Sequence, residues 1–173
     1  LIKPNSSKFL AISKSGKTTE TIAILLVVIE WLLKSDIKVD ESVMVMCENI
    51  NSTENALMKI VNQHSLKAIE HTNIGGRFSV LSSTGLLPAA IMGLDLYSLR
   101  NAARRSLSNI FDNNALILSS SVFAKINNSS EKLNCIIHYG DALSSFVSWY
   151  KQLWNESLGK DSKGVFLMTG KGS

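Results

Sequence analysis

Lys8 to Leu33, KFLAISKSGKTTETIAILLVVIEWLL, constrains this chain more than any other stretch. Phe9, Leu10, Ala11 and Ile12 form a short apolar run of the kind found in a strand covered on both faces. Ser13-Lys14-Ser15-Gly16-Lys17-Thr18-Thr19 then gathers hydroxyls, two ammonium groups and a flexible Gly into one turn. Ile22 to Ile29 is unbroken apolar sequence, which predicts a following helix that is almost wholly buried. A turn from a buried strand into a helix aims its free backbone N–H groups at one spot, and the helix dipole adds positive potential there. The stretch therefore reads as a phosphate-binding turn, with Ser13, Ser15, Thr18 and Thr19 as hydroxyl donors.

On local grounds the turn has three readings. Ala11 to Thr18 falls one residue short of the nucleotide-binding P-loop, because Ala11 stands where that loop needs its first Gly to wrap the phosphates. The Ser-Lys-Ser-Gly turn of sugar-phosphate isomerase domains needs no such Gly. A hydroxyl-rich helix cap without any ligand is the third, since Ser and Thr favour helix starts in any case.

At 173 residues the chain has room for one ordinary domain or parts of two. A hydrophobic content of 45% supports a packed core, and 18% charged residues are too few for a disordered tail. The formal charge of +4 comes from scattered Lys and Arg without interleaved aromatics or a nucleic-acid motif. That argues against a nucleic-acid partner and suits a small anionic ligand. Cys47 and Cys135 lie far apart in predicted buried strands without metal-ligand spacing, so they read as two reduced core thiols of a cytoplasmic protein. Ile22 to Leu33 is too short to span a bilayer and Glu30 interrupts it, so no membrane partner is expected. The chain enters its first core strand at once and stops at Lys171-Gly172-Ser173, which reads as a piece of a longer polypeptide.

Val43 to Cys47 is a second short strand, and Asn51 with Glu54 makes a capping-box-like start for a helix to about Gln63. Leu66 to His71 is a third strand, so strands alternate with helices as in a parallel sheet. The glycines of Thr72–Ser79 permit positive φ and a close ligand approach, with Arg77 projecting from the turn. Thr84 is placed to cap a helix carrying Pro88 in its first turn, and Leu96 to Ile110 reads as a helix with an apolar stripe. Arg100, Arg104 and Arg105 lie largely off that stripe, as a solvated face. Phe111-Asp112-Asn113-Asn114 is the expected domain boundary. Beyond it come a helix over Ala115–Ile126, a turn at Asn127–Ser130, a strand over Leu133–His138, and a helix capped by Asp141. On that last helix Gln152 and Glu156 are four apart and share a face, where an amide and a carboxylate can contact a polyol and exchange one of its protons.

Three segments in order, ISKSGKTTET, IGGRFSVLSSTGLLPAAIMGLD and WYKQLWNESLGKD, resemble the glucose-6-phosphate isomerase family, particularly its bacterial form. The resemblance runs from about Phe9 to the end and is loosest from Asn101 to Glu131. It displaces the P-loop reading, since a nucleotide hydrolase accounts for neither GGRFS nor WYKQLWNES. It implies a three-layer α/β sandwich with a parallel sheet, of the SIS-like, flavodoxin-like kind. Residues 1–110 would be the latter part of one sugar isomerase domain and residues 111–173 the start of a second.

The resemblance further implies that Ser13, Ser15 and Thr18, with the backbone from Lys14 onward, hold a sugar phosphate. Gly76 would let the backbone approach, and Arg77 would stabilise an enediol(ate). Gln152 would contact the substrate, and Glu156 would be the base that moves a proton between C1 and C2 of glucose 6-phosphate. No cofactor or metal is implied, and the full-length parent would be a homodimer in glycolysis and gluconeogenesis. Lys17 stands where the family has Gly or a small residue. The family's upstream glycine-rich phosphate turn, ring-opening His and C-terminal Lys have no match, so the segment alone is expected to be inactive. His64, His71 and His138 read as ordinary structural or surface histidines. The alternative to an enzyme is a regulatory sugar-phosphate-binding module of the same fold, which would need the hydroxyl turn but no base at Glu156.

Overall fold

A computed structural model describes residues 2–52, 54–112, 114–128, 133–160 and 164–172. The chain divides into two compact units, Leu1–Ser98 and Leu99–Ser173.

In the first unit, β1 (Phe9–Ile12), β2 (Val43–Cys47) and β3 (Lys67–Glu70) form a parallel sheet in the order β1-β2-β3. The register pairs Phe9 with Val43 and Met44 with Lys67. Helices α1 (Thr19–Lys34) and the single turn α2 (Val39–Ser42) connect the first pair, and α3 (Ala56–Gln63) connects the second. Val43, Val45 and Cys47 point to one face of β2, where they form one apolar cluster with Leu25, Ile29 and Leu32 of α1 and Leu57, Ile60 and Val61 of α3. Met46 points to the other face and accepts the Thr84 hydroxyl on its sulfur at 3.7 Å. Thr84 belongs to α4 (Ser83–Ile91), so helices cover both faces of the sheet. This is the α/β sandwich class with a parallel sheet that the sequence implied. Each fully buried apolar side chain of β2 contributes about 1.5–3 kcal/mol, which makes the central strand the anchor of the unit.

Several expectations need correcting. Helix α1 is not wholly buried: Leu25, Ile29 and Leu32 face the core, while Ile24 and Val27 are about two-thirds exposed. One helix packed against one sheet can bury only one stripe, however apolar its other face. Strand β1 is half-buried because, among the described residues, it has a partner on one side only. Asn55, not Asn51, caps α3, accepting the N–H groups of Leu57 and Met58 at 3.0 and 3.4 Å. Ser82, not Thr84, caps α4, which places Pro88 in the second turn. Gly75 has φ −55° and no positive φ occurs at Gly76, so that turn needs no left-handed residue.

The second unit holds most of α5 (Leu96–Ser108), then α6 (Asn114–Asn127), β4 (Leu133–His138), α7 (Ser144–Leu158) and β5 (Phe166–Lys171). Strands β4 and β5 pair in parallel, Leu133 against Phe166 through His138 against Lys171, with α7 as their crossover. No residue of α5 is buried, so its apolar stripe is open, and Arg100, Arg104 and Arg105 are exposed as expected. Asp141 does not cap α7. It lies in a 3-10 turn, Asp141–Leu143, and accepts the Lys171 ammonium at 2.5 Å. Cys135 is exposed, against the expectation of a core thiol, because a two-stranded sheet covers β4 on alternate residues only. Cys47 is buried, and that burial pushes its thiol pKa up against the opposing pull of the Asn55 amide. The turn expected at Asn127–Ser130 lies partly outside the described residues.

Candidate functional site

The hydroxyl turn lies at the C-terminal end of β1, where open α/β sheets place ligands. Its backbone is tied on two sides. The Ser13 N–H continues the ladder to Met46 O at 3.0 Å, and the Glu48 N–H reaches Lys14 O at 2.9 Å. The Gly16 N–H closes the turn onto Ser13 O at 3.2 Å, and the Leu57 N–H bonds Gly16 O at 3.1 Å. Gly16 has φ +62° and packs against the Asn55 carboxamide, which leaves no room for a Cβ. A left-handed residue pressed against a helix cap is a position for Gly.

Side chains complete the cradle. Ser13 is buried and its Oγ lies 2.9 Å from Thr18 Oγ1. Ser15 Oγ accepts the Lys17 N–H at 3.2 Å. Thr18 sits at the N-cap of α1 yet makes no side-chain cap, because its hydroxyl is committed to Ser13. The N-terminus of this 16-residue helix thus keeps its first N–H groups without a side-chain acceptor, beside exposed Ser15, Lys17 and Thr18. Such an end attracts anions. Lys17 points to solvent and does not fill the turn.

The ends of β2 and β3 add groups that sequence reading did not single out. Glu48, Asn49, Glu70, His71, Thr72 and Asn73 line a cavity of about 380 Å³. Glu48 lies 3.5 Å from the Lys14 ammonium. Of the structural and surface readings of His71 the structural one holds: it is buried, and its Nδ1 donates to Thr72 O at 2.5 Å. The available signal was position, since Glu48 directly follows one predicted strand and His71 ends the next, which puts both at the ligand-facing edge of a parallel sheet. Gly76 and Arg77 open the 3-10 segment Gly76–Leu81 of the same unit. Arg77 is half-buried, and the space a Cβ would fill at Gly76 is open.

In the second unit, α7 is pinned to β5 by polar bonds as well as apolar contact. Trp154 Nε1 donates to Val165 O at 2.8 Å, and its ring packs 4.9 Å from that of Phe123. Asn155 brackets Leu167, donating to its carbonyl at 3.1 Å and accepting its N–H at 2.9 Å. With Trp154 and Asn155 facing the strand, Gln152 and Glu156 are left together on an exposed face, where the amide donates to Glu156 Oε1 at 2.8 Å. The predicted i, i+4 pair is therefore a real contact. The structure thus brings Ser13, Lys14, Ser15 and Thr18 into one turn, keeps Gly76 and Arg77 in the same unit, and joins Gln152 to Glu156 in the other. Among the described residues, no group of three or more His, Cys, Asp or Glu is arranged to hold a metal ion. No helix among them is long and apolar enough to cross a membrane.

Comparison with known proteins places this geometry. The family model described as phosphoglucose isomerase matches residues 1–171. A glucose-6-phosphate isomerase of Rubrobacter xylanophilus is 32% identical over 171 residues, covering 95% of this chain and 39% of the relative. A probable glucose-6-phosphate isomerase of Haloarcula marismortui is 33% identical over 158 residues, covering 88% of this chain and 35% of the relative. The chain thus spans little more than a third of the length of these relatives. Among solved structures, a hypothetical protein of Thermus thermophilus superposes on 99% of the chain with a TM-score of 0.81 at 31% identity, which is 42% of that protein. A glucose-6-phosphate isomerase of Chlamydia trachomatis shares the fold with a TM-score of 0.76 at 20% identity, over 99% of this chain and 36% of its own. With its family model matched along nearly the whole length, the chain belongs to the phosphoglucose isomerase family.

Proposed function

We propose that this chain carries part of the active site of an aldose–ketose isomerase that interconverts D-glucose 6-phosphate and D-fructose 6-phosphate. The observation that carries the reading is the turn after β1. There a buried Ser13 holds the hydroxyl of Thr18, so that the start of α1 is left without a side-chain cap. A sugar phosphate seated there meets helix N–H groups, the hydroxyls of Ser13, Ser15 and Thr18, and the backbone from Lys14 onward. Residues 1–110 and 111–173 are then parts of two sugar isomerase domains. The parent is a cytoplasmic homodimer of glycolysis and gluconeogenesis that has no nucleic-acid partner.

In the open-chain aldose, Glu156 takes the C2 proton while the C–H electron pair forms the C1–C2 double bond and charge collects on O1. Arg77 stabilises that oxyanion, and Gly76 lets the backbone come close. A proton passes from O2 to O1, and Glu156 returns its proton to C1 to give the ketose. Gln152 contacts the substrate and, through its bond to Oε1, orients the carboxylate. One base and one cation suffice for this chemistry, so no cofactor is assigned.

Deuterium exchange tests the reading. In a polypeptide of the relatives' full length that carries this segment, glucose 6-phosphate exchanges its C2 proton with solvent. Glu156→Gln, which keeps shape but removes the proton acceptor, abolishes that exchange. Full exchange in the variant would overturn the assignment.

A further inference from the structure

Glu48 stands directly after β2, and its Oε1 is enclosed by the protein yet receives no hydrogen bond. Two nitrogens lie near it, the Lys14 ammonium at 3.5 Å and His71 Nδ1 at 3.9 Å. The His71 nitrogen donates to Thr72 O, so its proton is directed away from the carboxylate. Lys14 is then the cation that Glu48 faces. The Glu48 N–H bond to Lys14 O, at 2.9 Å, fixes the two residues side by side. At 3.5 Å with no hydrogen bond, the pair is held by charge alone, and the Lys14 side chain remains 41% exposed. An ammonium held this loosely beside an anion-accepting turn has two anions to choose between once the turn is filled.

We propose that Glu48 is a positioning residue for Lys14, an internal anion that parks the ammonium at the edge of the hydroxyl turn and competes with bound phosphate for it. The inference rests on the reading of the turn as a phosphate site and assigns how strongly that site binds. A carboxylate in this place lowers the affinity of the turn for any anion and keeps the lysine from standing uncompensated when the turn is empty. The arrangement trades affinity for release of the phosphorylated ligand.

Calorimetric titration of the 173-residue chain with inorganic phosphate tests this, with Glu48→Gln as the isosteric neutral variant and Glu48→Asp as the variant that keeps the charge. Glu48→Gln is expected to bind phosphate about three- to fivefold tighter, the scale of a partly exposed ion pair. Glu48→Asp stays near the original affinity. In a Lys14→Met background, where no ammonium is left to release, the gain from Glu48→Gln falls below about twofold on the same scale. Circular dichroism checks that each variant is folded. Unchanged or weaker binding by Glu48→Gln overturns the proposal. So does an undiminished gain in the Lys14→Met background, which would mean a general field effect that does not pass through Lys14. If the original chain binds phosphate and Thr18→Val weakens it while Glu48→Gln does nothing, the positioning role falls and the phosphate turn stands. If neither the original chain nor Glu48→Gln binds phosphate, both readings fall.

Discussion

Replacing Gly16 by Ala tests how the hydroxyl turn is built, and its cost can be worked from the structure. Gly16 holds φ +62°, a conformation that costs a residue with a Cβ about 1–2 kcal/mol. The added methyl would also overlap the Asn55 carboxamide. That side chain is buried and committed, capping α3 through Leu57 and Met58 and touching the Cys47 sulfur. It can move aside only by giving up the cap, a loss of about 0.5–2 kcal/mol. Gly16→Ala should therefore destabilise the first unit by about 1.5–4 kcal/mol, the sum of these two costs. Asn55→Ala alone should cost about 1–2 kcal/mol, and the double variant less than the sum of the singles, because the clash disappears with the carboxamide. Urea unfolding followed by far-UV circular dichroism, with hydrogen exchange on α3 to assign the transition to the first unit, reads all three. A Gly16→Ala variant within about 0.5 kcal/mol of the original, the scale of an ordinary surface change, or strict additivity with Asn55→Ala would refute the reasoning.

Thr18→Val should weaken glucose 6-phosphate binding by about 1–3 kcal/mol, the usual loss of a hydrogen bond to a charged group; unchanged affinity by calorimetry would place the ligand elsewhere. Glu156→Gln in a polypeptide of the relatives' full length should lower kcat by about 10²-fold or more with little change in KM, as expected for loss of a general base. Asn155→Ala leaves the N–H and carbonyl of Leu167 without their partners, at about 1–3 kcal/mol each, and should sharply raise hydrogen exchange in β5. Cys135 should react with iodoacetamide far faster than buried Cys47, whose thiol is held protonated by its surroundings. The Cys47 pKa is raised on folding, so its contribution to stability is present below the unfolded thiol pKa of about 8.5 and is lost as pH rises through the folded value. Cys47→Ser should accordingly flatten the alkaline limb of a stability–pH curve.

Much of the local structure was legible along the chain because its determinants are local. The apolar runs Phe9–Ile12, Val43–Cys47 and Leu133–His138 are strands with those very bounds, and the intervening helices dictate that neighbouring strands run parallel. The hydroxyl turn and the Gln152–Glu156 pair were also legible, since a strand–turn–helix junction and an i, i+4 spacing each bring their own residues together. Other features depended on what the fold places nearby. An apolar helix such as α1 announces how much surface it can bury, but only the single sheet beside it decides that Ile24 and Val27 stay exposed. Asn55 outcompetes Asn51 as a cap because the Cys47 sulfur and the turn at Gly16 hold its side chain against the start of α3. The Lys14–Glu48 pair joins residues from two strand ends that lie far apart in the chain, and His71 enters from a third. No periodicity encodes such a meeting. It follows from the register of β1 on β2 and β2 on β3, which is set by packing across the whole sheet.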